Sequence, residues 1–197
     1  MGQNISALID RIKVLEEEVE TEFGKRREEF HFIIENKRIR FAEEMIAVHQ
    51  RLKTGLVRYL LDAHPLNILT APVIYAGFIP FLLLDLFVTL YQAVCFPAYG
   101  IPKVRRGDYL VFDREELPYL NVIEKFNCFY CSYANGLASY AREIGARTEQ
   151  YWCPIKHARR IRDAHGHYRK FFEFGDAESF ARGLERLRKE LEKNGAK

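Results

Sequence analysis

At 197 residues the chain is long enough to bury a real core, either as one domain or as a domain with an appendage. Lys and Arg total 30 against 27 Asp and Glu, a net charge of +3 that gives no global attraction to nucleic acid. Hydrophobic residues at 48% and charged residues at 29% describe a soluble average, which hides a very uneven distribution. No charged leader, short apolar stretch and small-residue cleavage site opens the sequence, so no secretory signal is expected. Four cysteines in a C-x-x-C followed by C-x-x-x-H suit metal binding in a reducing compartment better than a secreted disulfide framework.

Residues 1–64 form the first zone, charged and helical in pattern, with no proline through residue 62. Ile5, Leu8, Ile12, Leu15 and Val19 step by three and four, as in a heptad seam. The seam falters at Glu22 and Gly24, and apolar spacing resumes through Phe30, Ile34, Phe41, Met45, Val48, Leu52 and Leu56. The pattern predicts a helical arm or hairpin packing on its own protein, with an oligomerising coiled coil as the sharper reading.

Residues 65–102 carry a single charge, Asp85. A helix crossing a bilayer needs about 20 mainly apolar residues, so the length suffices for a membrane segment. Basic residues flank it evenly: Arg51, Lys53 and Arg58 before, Lys103, Arg105 and Arg106 after. Positive charge therefore selects no orientation. Gly77 and Pro80 offer a break, so both a re-entrant hairpin and a single tilted span are open. Asp85, Thr89 and Gln92, at i, i+4 and i+7, make a polar stripe. An intramembrane carboxylate needs a partner: either a proton, ion or substrate contact, or a helix–helix contact or a position at headgroup depth.

Residues 103–175 are read as a cytoplasmic domain. A short strand is expected at Tyr109–Phe112 and a capping-box start at Asp113 and Glu116. A helix is expected from Ser132 to about Arg147. Cys128 and Cys131, with Cys153 and His157 after a return loop, would make a tetrahedral Cys3His shell. Zinc is the expected ion; iron or an iron–sulfur cluster is the alternative. His165 and His167, flanking Gly166, are possible auxiliary metal ligands, with a solvated turn as the other reading. Lys156, Arg159, Arg160, Arg162, Arg169 and Lys170 form a basic run beside the membrane segment, suited to anionic lipid headgroups. No recognisable nucleic-acid module accompanies it. Residues 176–197 predict a C-terminal amphipathic helix capped by Asp176, with Phe180, Leu184, Leu187 and Leu191 on one stripe.

Asn127-Cys-Phe-Tyr-Cys-Ser-Tyr-Ala-Asn-Gly136 and Arg147-Thr-Glu-Gln-Tyr-Trp-Cys-Pro-Ile-Lys-His-Ala158 resemble an uncharacterised family of small bacterial membrane proteins, over roughly residues 65–160. The resemblance implies a bacterial inner membrane and carries no activity.

The fold expected is mostly α: a helical arm, a hydrophobic membrane segment, and a small metal-stapled cytoplasmic domain ending in an amphipathic helix. The function expected is a membrane-anchored, zinc-stabilised scaffold or binding module, homo-oligomeric or bound to a membrane-protein partner. A membrane redox protein using the same cysteines is one alternative, and a monotopic enzyme acting on a lipid-linked substrate is another. No nucleophile elbow, P-loop or dinucleotide fingerprint names an enzyme class.

Overall fold

The computed structural model describes residues 2–35 and 38–193, with side chains described at Arg11 and from Val14 onward. Helix accounts for 72%. The chain divides into two compact units. One comprises the chain up to Asp62 together with Asp113–Phe126, the other Ala63–Phe112 together with the chain from Asn127 on.

In the first unit, helix α1 (Gly2–Glu29) leads into an antiparallel hairpin, β1 (Phe32–Glu35) and β2 (Arg38–Phe41), followed by α2 (Glu43–Leu52) and α3 (Leu56–Asp62). The strands correct the expectation of an all-helical arm over residues 1–64. Phe32-Ile-Ile-Glu and Arg38-Ile-Arg-Phe are rich in β-branched and aromatic residues, which suit a pleated ribbon. Phe32 pairs with Phe41, and the rings meet at 5.7 Å. Glu116 does not complete a capping box with Asp113. Its carboxylate instead accepts the Ile39 backbone N–H, while residues 113–116 form a short 3-10 turn. Of the heptad seam, Ile5, Leu8 and Ile12 lie outside the described side chains, and Leu15 and Val19 are about half exposed.

In the second unit, α4 (Pro65–Ala76) and α5 (Phe78–Tyr99) are divided at Gly77. Tyr130 fills this joint, its hydroxyl donating to the Ile74 carbonyl at 2.7 Å. Gly100, at φ 67°, ends α5 in the left-handed conformation that glycine adopts without strain. Helix α6 (Val122–Trp152) begins with a reciprocal capping box: Asn121 accepts from the Glu124 N–H at 3.0 Å, and Glu124 from the Asn121 N–H at 2.8 Å. From there it runs unbroken to Trp152.

Helices α5 and α6 lie parallel. Phe78 meets Tyr130 and Tyr133, Asp85 meets Tyr133, Tyr91 meets Thr148, and Tyr99 meets Trp152. Residues 101–112 return along this pair as a strap, not as the expected strand: Val104 sits at Gln92, Arg106 at Asp85 and Phe112 at Phe129. Gly136 lets the strap in, because a Cβ there would stand 2.6 Å from the Tyr109 carbonyl oxygen. Phe96, Leu137, Tyr140 and Ile144 are the centre of the resulting core. The last helix, α7 (Ala177–Lys193), is capped by Asp176, which accepts the Ser179 N–H at 2.9 Å. It adds Leu191 to the core and stacks Arg188 over the Tyr151 ring.

Candidate functional site

The continuity of α6 decides the cysteine question. Cys128 and Cys131 stand one turn apart on α6, and Cys153 follows its last residue. At 1.5 Å rise per residue, Cys131 and Cys153 are roughly 33 Å apart along the axis. The expected Cys128–Cys131–Cys153–His157 shell is therefore corrected: one chain does not bring these four to a single zinc, iron or iron–sulfur centre. A C-x-x-C spacing fits one helical turn as well as a metal knuckle, and here the turn was formed. Cys131 and Cys153 are exposed, and His157 lies beside Tyr168, whose hydroxyl accepts the His157 backbone N–H at 2.7 Å. Among the described residues, no group of three or more His, Cys, Asp or Glu side chains is placed to hold a metal ion.

The polar stripe of α5 faces α6 and the strap. Arg106 grips Asp85 with both Nε (3.2 Å) and Nη2 (2.7 Å), and the Tyr133 hydroxyl donates to the same carboxylate at 3.0 Å. Burial first, and Asp85 second, push the Tyr133 phenol up to about 12. Gln92 is buried and satisfies both backbone groups of Val104, accepting from its N–H at 2.9 Å and donating to its carbonyl at 3.4 Å. It also donates to the Tyr140 hydroxyl. Thr89 reaches only Asp85, at 3.4 Å. Asp85 and Gln92 thus join α5 to α6 and the strap.

On the opposite side of α5 the surface is apolar. Ile79, Leu83, Leu86, Leu90 and Val94 recur at three- and four-residue intervals and are all more than half exposed, Val94 reaching 70%. On α4, Leu66, Ile68, Leu69, Val73 and Ile74 are exposed as well. Pro65–Tyr99, whose most apolar window has mean hydropathy 2.2 and is only 6% buried, is long and apolar enough to cross a membrane.

His165 and His167 have their rings 6.1 Å apart. Each reaches a different α6 carboxylate: His165 Nε2 lies 2.9 Å from Glu149, and His167 Nε2 lies 3.1 Å from Glu143. Arg147 links Glu143 (2.8 Å) to the Pro102 carbonyl (2.7 Å), tying this cluster to the strap. Burial raises the Glu143 pKa, but hydrogen bonds from His167 and Arg147 outweigh it and hold the carboxyl at about 2. The Gln150 amide nitrogen donates to the Leu187 carbonyl at 3.3 Å, which turns its oxygen toward His167 Nδ1 at 2.5 Å. Glu143, Arg147, Glu149 and Gln150 were not singled out in the sequence. Their placement on one helix, within a span of eight residues, was the available signal.

The basic run is loop and 3-10 turn over residues 156–170, with Arg159, Arg160, Arg162, Arg169 and Lys170 exposed. Lys156 is committed to Glu173 at 2.5 Å. Beside the His–Glu cluster, a groove of about 340 Å³ runs between α5 and α6, lined among others by Phe87, Val88, Tyr91, Ile144 and Gly145, with Trp152 at one end. No family model, curated protein or solved structure matches the chain.

Proposed function

We propose that this chain is a monotopic membrane protein, attached by α4 and α5 lying in the plane of the bilayer surface, with α6 and its loops on the aqueous side as a binding module. One observation carries the reading: α5 has a side where Asp85 and Gln92 are engaged by α6 and the strap, and an exposed apolar row on the other. An apolar surface of this extent is untenable in water.

The strap argues against a perpendicular span. Lys103, Arg105, Arg106 and Asp108 are exposed and lie beside the middle of α5, where Arg106 meets Asp85. A spanning α5 would carry these charges to the centre of the hydrocarbon, at a cost of about 3 kcal/mol for each Arg or Lys on translocon-insertion scales. Lying flat, α5 buries its apolar row about 5–10 Å deep and leaves the strap in water. The exposed arginines and Lys170 add headgroup attraction, on the order of 1 kcal/mol each where they approach an anionic surface. The resemblance noted for residues 127–158 makes the bacterial inner membrane the expected membrane, with this module on its cytoplasmic face.

Vesicle flotation tests the reading. The wild-type chain should float with vesicles containing phosphatidylglycerol and resist carbonate extraction. The double substitution Leu83→Glu/Leu90→Glu should leave α-helical content intact and abolish flotation. Recovery of the wild type as a monodisperse monomer without detergent would overturn it.

A further inference from the structure

We propose that the groove between α5 and α6 binds the hydrocarbon chain of a bilayer lipid, with the lipid's polar end toward Glu149 and Trp152. The proposal rests on the monotopic reading and deepens it. The groove floor is Val88 and Ile144, both buried, and its α5 wall is the stacked pair Phe87 and Tyr91, with rings 6.2 Å apart. Its α6 wall owes its width to small residues one turn apart, Ala141 and Gly145. A Cβ at Gly145 would stand in open space.

Polarity changes along the groove in one direction. From Phe87 to Ile144 the lining carries no charged side chain, while the far end gathers Thr148, Glu149, Trp152 and Cys153. The Thr148 and Tyr91 hydroxyls satisfy each other at 3.1 Å, so the apolar floor exposes little unpaired polarity. At the polar end, Glu149 is held from behind by His165 Nε2 at 2.9 Å.

Continuity with the bilayer face names the occupant. Phe87 is 66% exposed and borders the row Leu83, Leu86, Leu90 and Val94, so the groove opens where the in-plane reading puts lipid. A chain slides in from the membrane without crossing water, whereas a soluble ligand would meet an apolar wall first. The volume is at the small end for ligand sites, which fits one chain better than a two-chain lipid body.

Trp152, the sole tryptophan, lines the groove and supplies the readout. The full chain is bound to phosphatidylglycerol vesicles containing lipid brominated in mid-chain, and Trp152 quenching is measured. Gly145→Leu fills the groove from an open helical position and leaves the bilayer face untouched. The expected result is unchanged flotation of Gly145→Leu with loss of about half or more of the quenching. It should also lose the lipid that the wild type retains through detergent exchange, as read by native mass spectrometry. Competition by a polyprenyl phosphate that relieves the quenching identifies a polyprenyl chain, and its failure identifies an acyl chain. Equal quenching and equal lipid retention in the two proteins would overturn the groove proposal while the monotopic reading stands. Failure of both proteins to float would overturn the monotopic reading, and the groove proposal with it.

Discussion

On α1, Val14, Leu15, Val19 and Phe23 recur at helical spacing and remain about half exposed, whereas on α6, Tyr133, Leu137, Tyr140 and Ile144 recur at the same spacing and are buried. Period alone makes both segments helical. The partner makes the difference. α1 is laced by exposed pairs such as Arg26 with Glu29 and Arg27 with Glu20, each worth little in water. α6 meets α5 and a strap, where Asp85 is paired with Arg106 and Tyr133 and Gln92 with Val104 and Tyr140, so its apolar positions leave water beside satisfied polar groups.

The comparison breaks most visibly if core truncations cost the same in both helices. Leu137→Ala, at a fully buried position, should destabilise by about 2–5 kcal/mol, while Val19→Ala should stay within about 0.5 kcal/mol. Chemical denaturation in a mild detergent, followed by near-UV signal, measures both. Next in size is the matched polar side of α5. Asp85→Asn should cost about 1.5–3 kcal/mol, the usual worth of hydrogen bonds to a charged group, and Arg106→Lys should recover only part of the wild-type stability because the two-point grip is lost.

A smaller effect is expected at Glu143. Its folded pKa, about 2, lies below the ordinary value of 4.5, so its stabilising contribution is complete above pH 4.5 and is lost as pH falls toward 2. Acid unfolding of Glu143→Gln should lack this part of the acid limb. An unchanged acid profile would show that the contacts with His167 and Arg147 contribute nothing. The smallest effect belongs to the thiols. Cys153→Ser should change stability by less than about 0.5 kcal/mol, because the side chain is exposed. Spin labels at Cys131 and Cys153, with Cys95 and Cys128 replaced by Ser, should report a separation near 33 Å, as a continuous helix requires. A distance short enough for shared coordination would restore the single-ion site and refute an unbroken α6.

Much of this fold was legible in the sequence. The single charge among residues 65–102 marked the apolar segment, and Leu137, Tyr140 and Ile144 marked the face of α6 that is buried. Asp176 marked the start of α7. Less legible was anything that depends on a partner distant in sequence. The stripe Asp85, Thr89 and Gln92 was visible, but Arg106 and Tyr133 could not be assigned to it before the strap was traced. His165 and His167 stood out as ligands because adjacent histidines invite a metal, while the carboxylates that engage them lie a helix away in sequence. The cysteine spacing misled for a local reason: i, i+3 is both a knuckle and a helical turn, and capping by Asn121 and Glu124 favours the turn. The hairpin was hidden because Phe30, Ile34 and Phe41 also satisfy a helical spacing.

The central claim is that α5 lies flat on the bilayer with its polar side turned inward to the protein. Its most direct test is spin-label depth along the exposed row, one label at a time at Ile79, Leu83, Leu86, Leu90 and Val94, with a label at Arg105 as reference. The account predicts one shallow depth for all five, about 5–10 Å below the headgroups, and an Arg105 label in water. A depth that sweeps through the hydrocarbon by roughly 22 Å between Ile79 and Val94, the rise of a perpendicular helix, would contradict it.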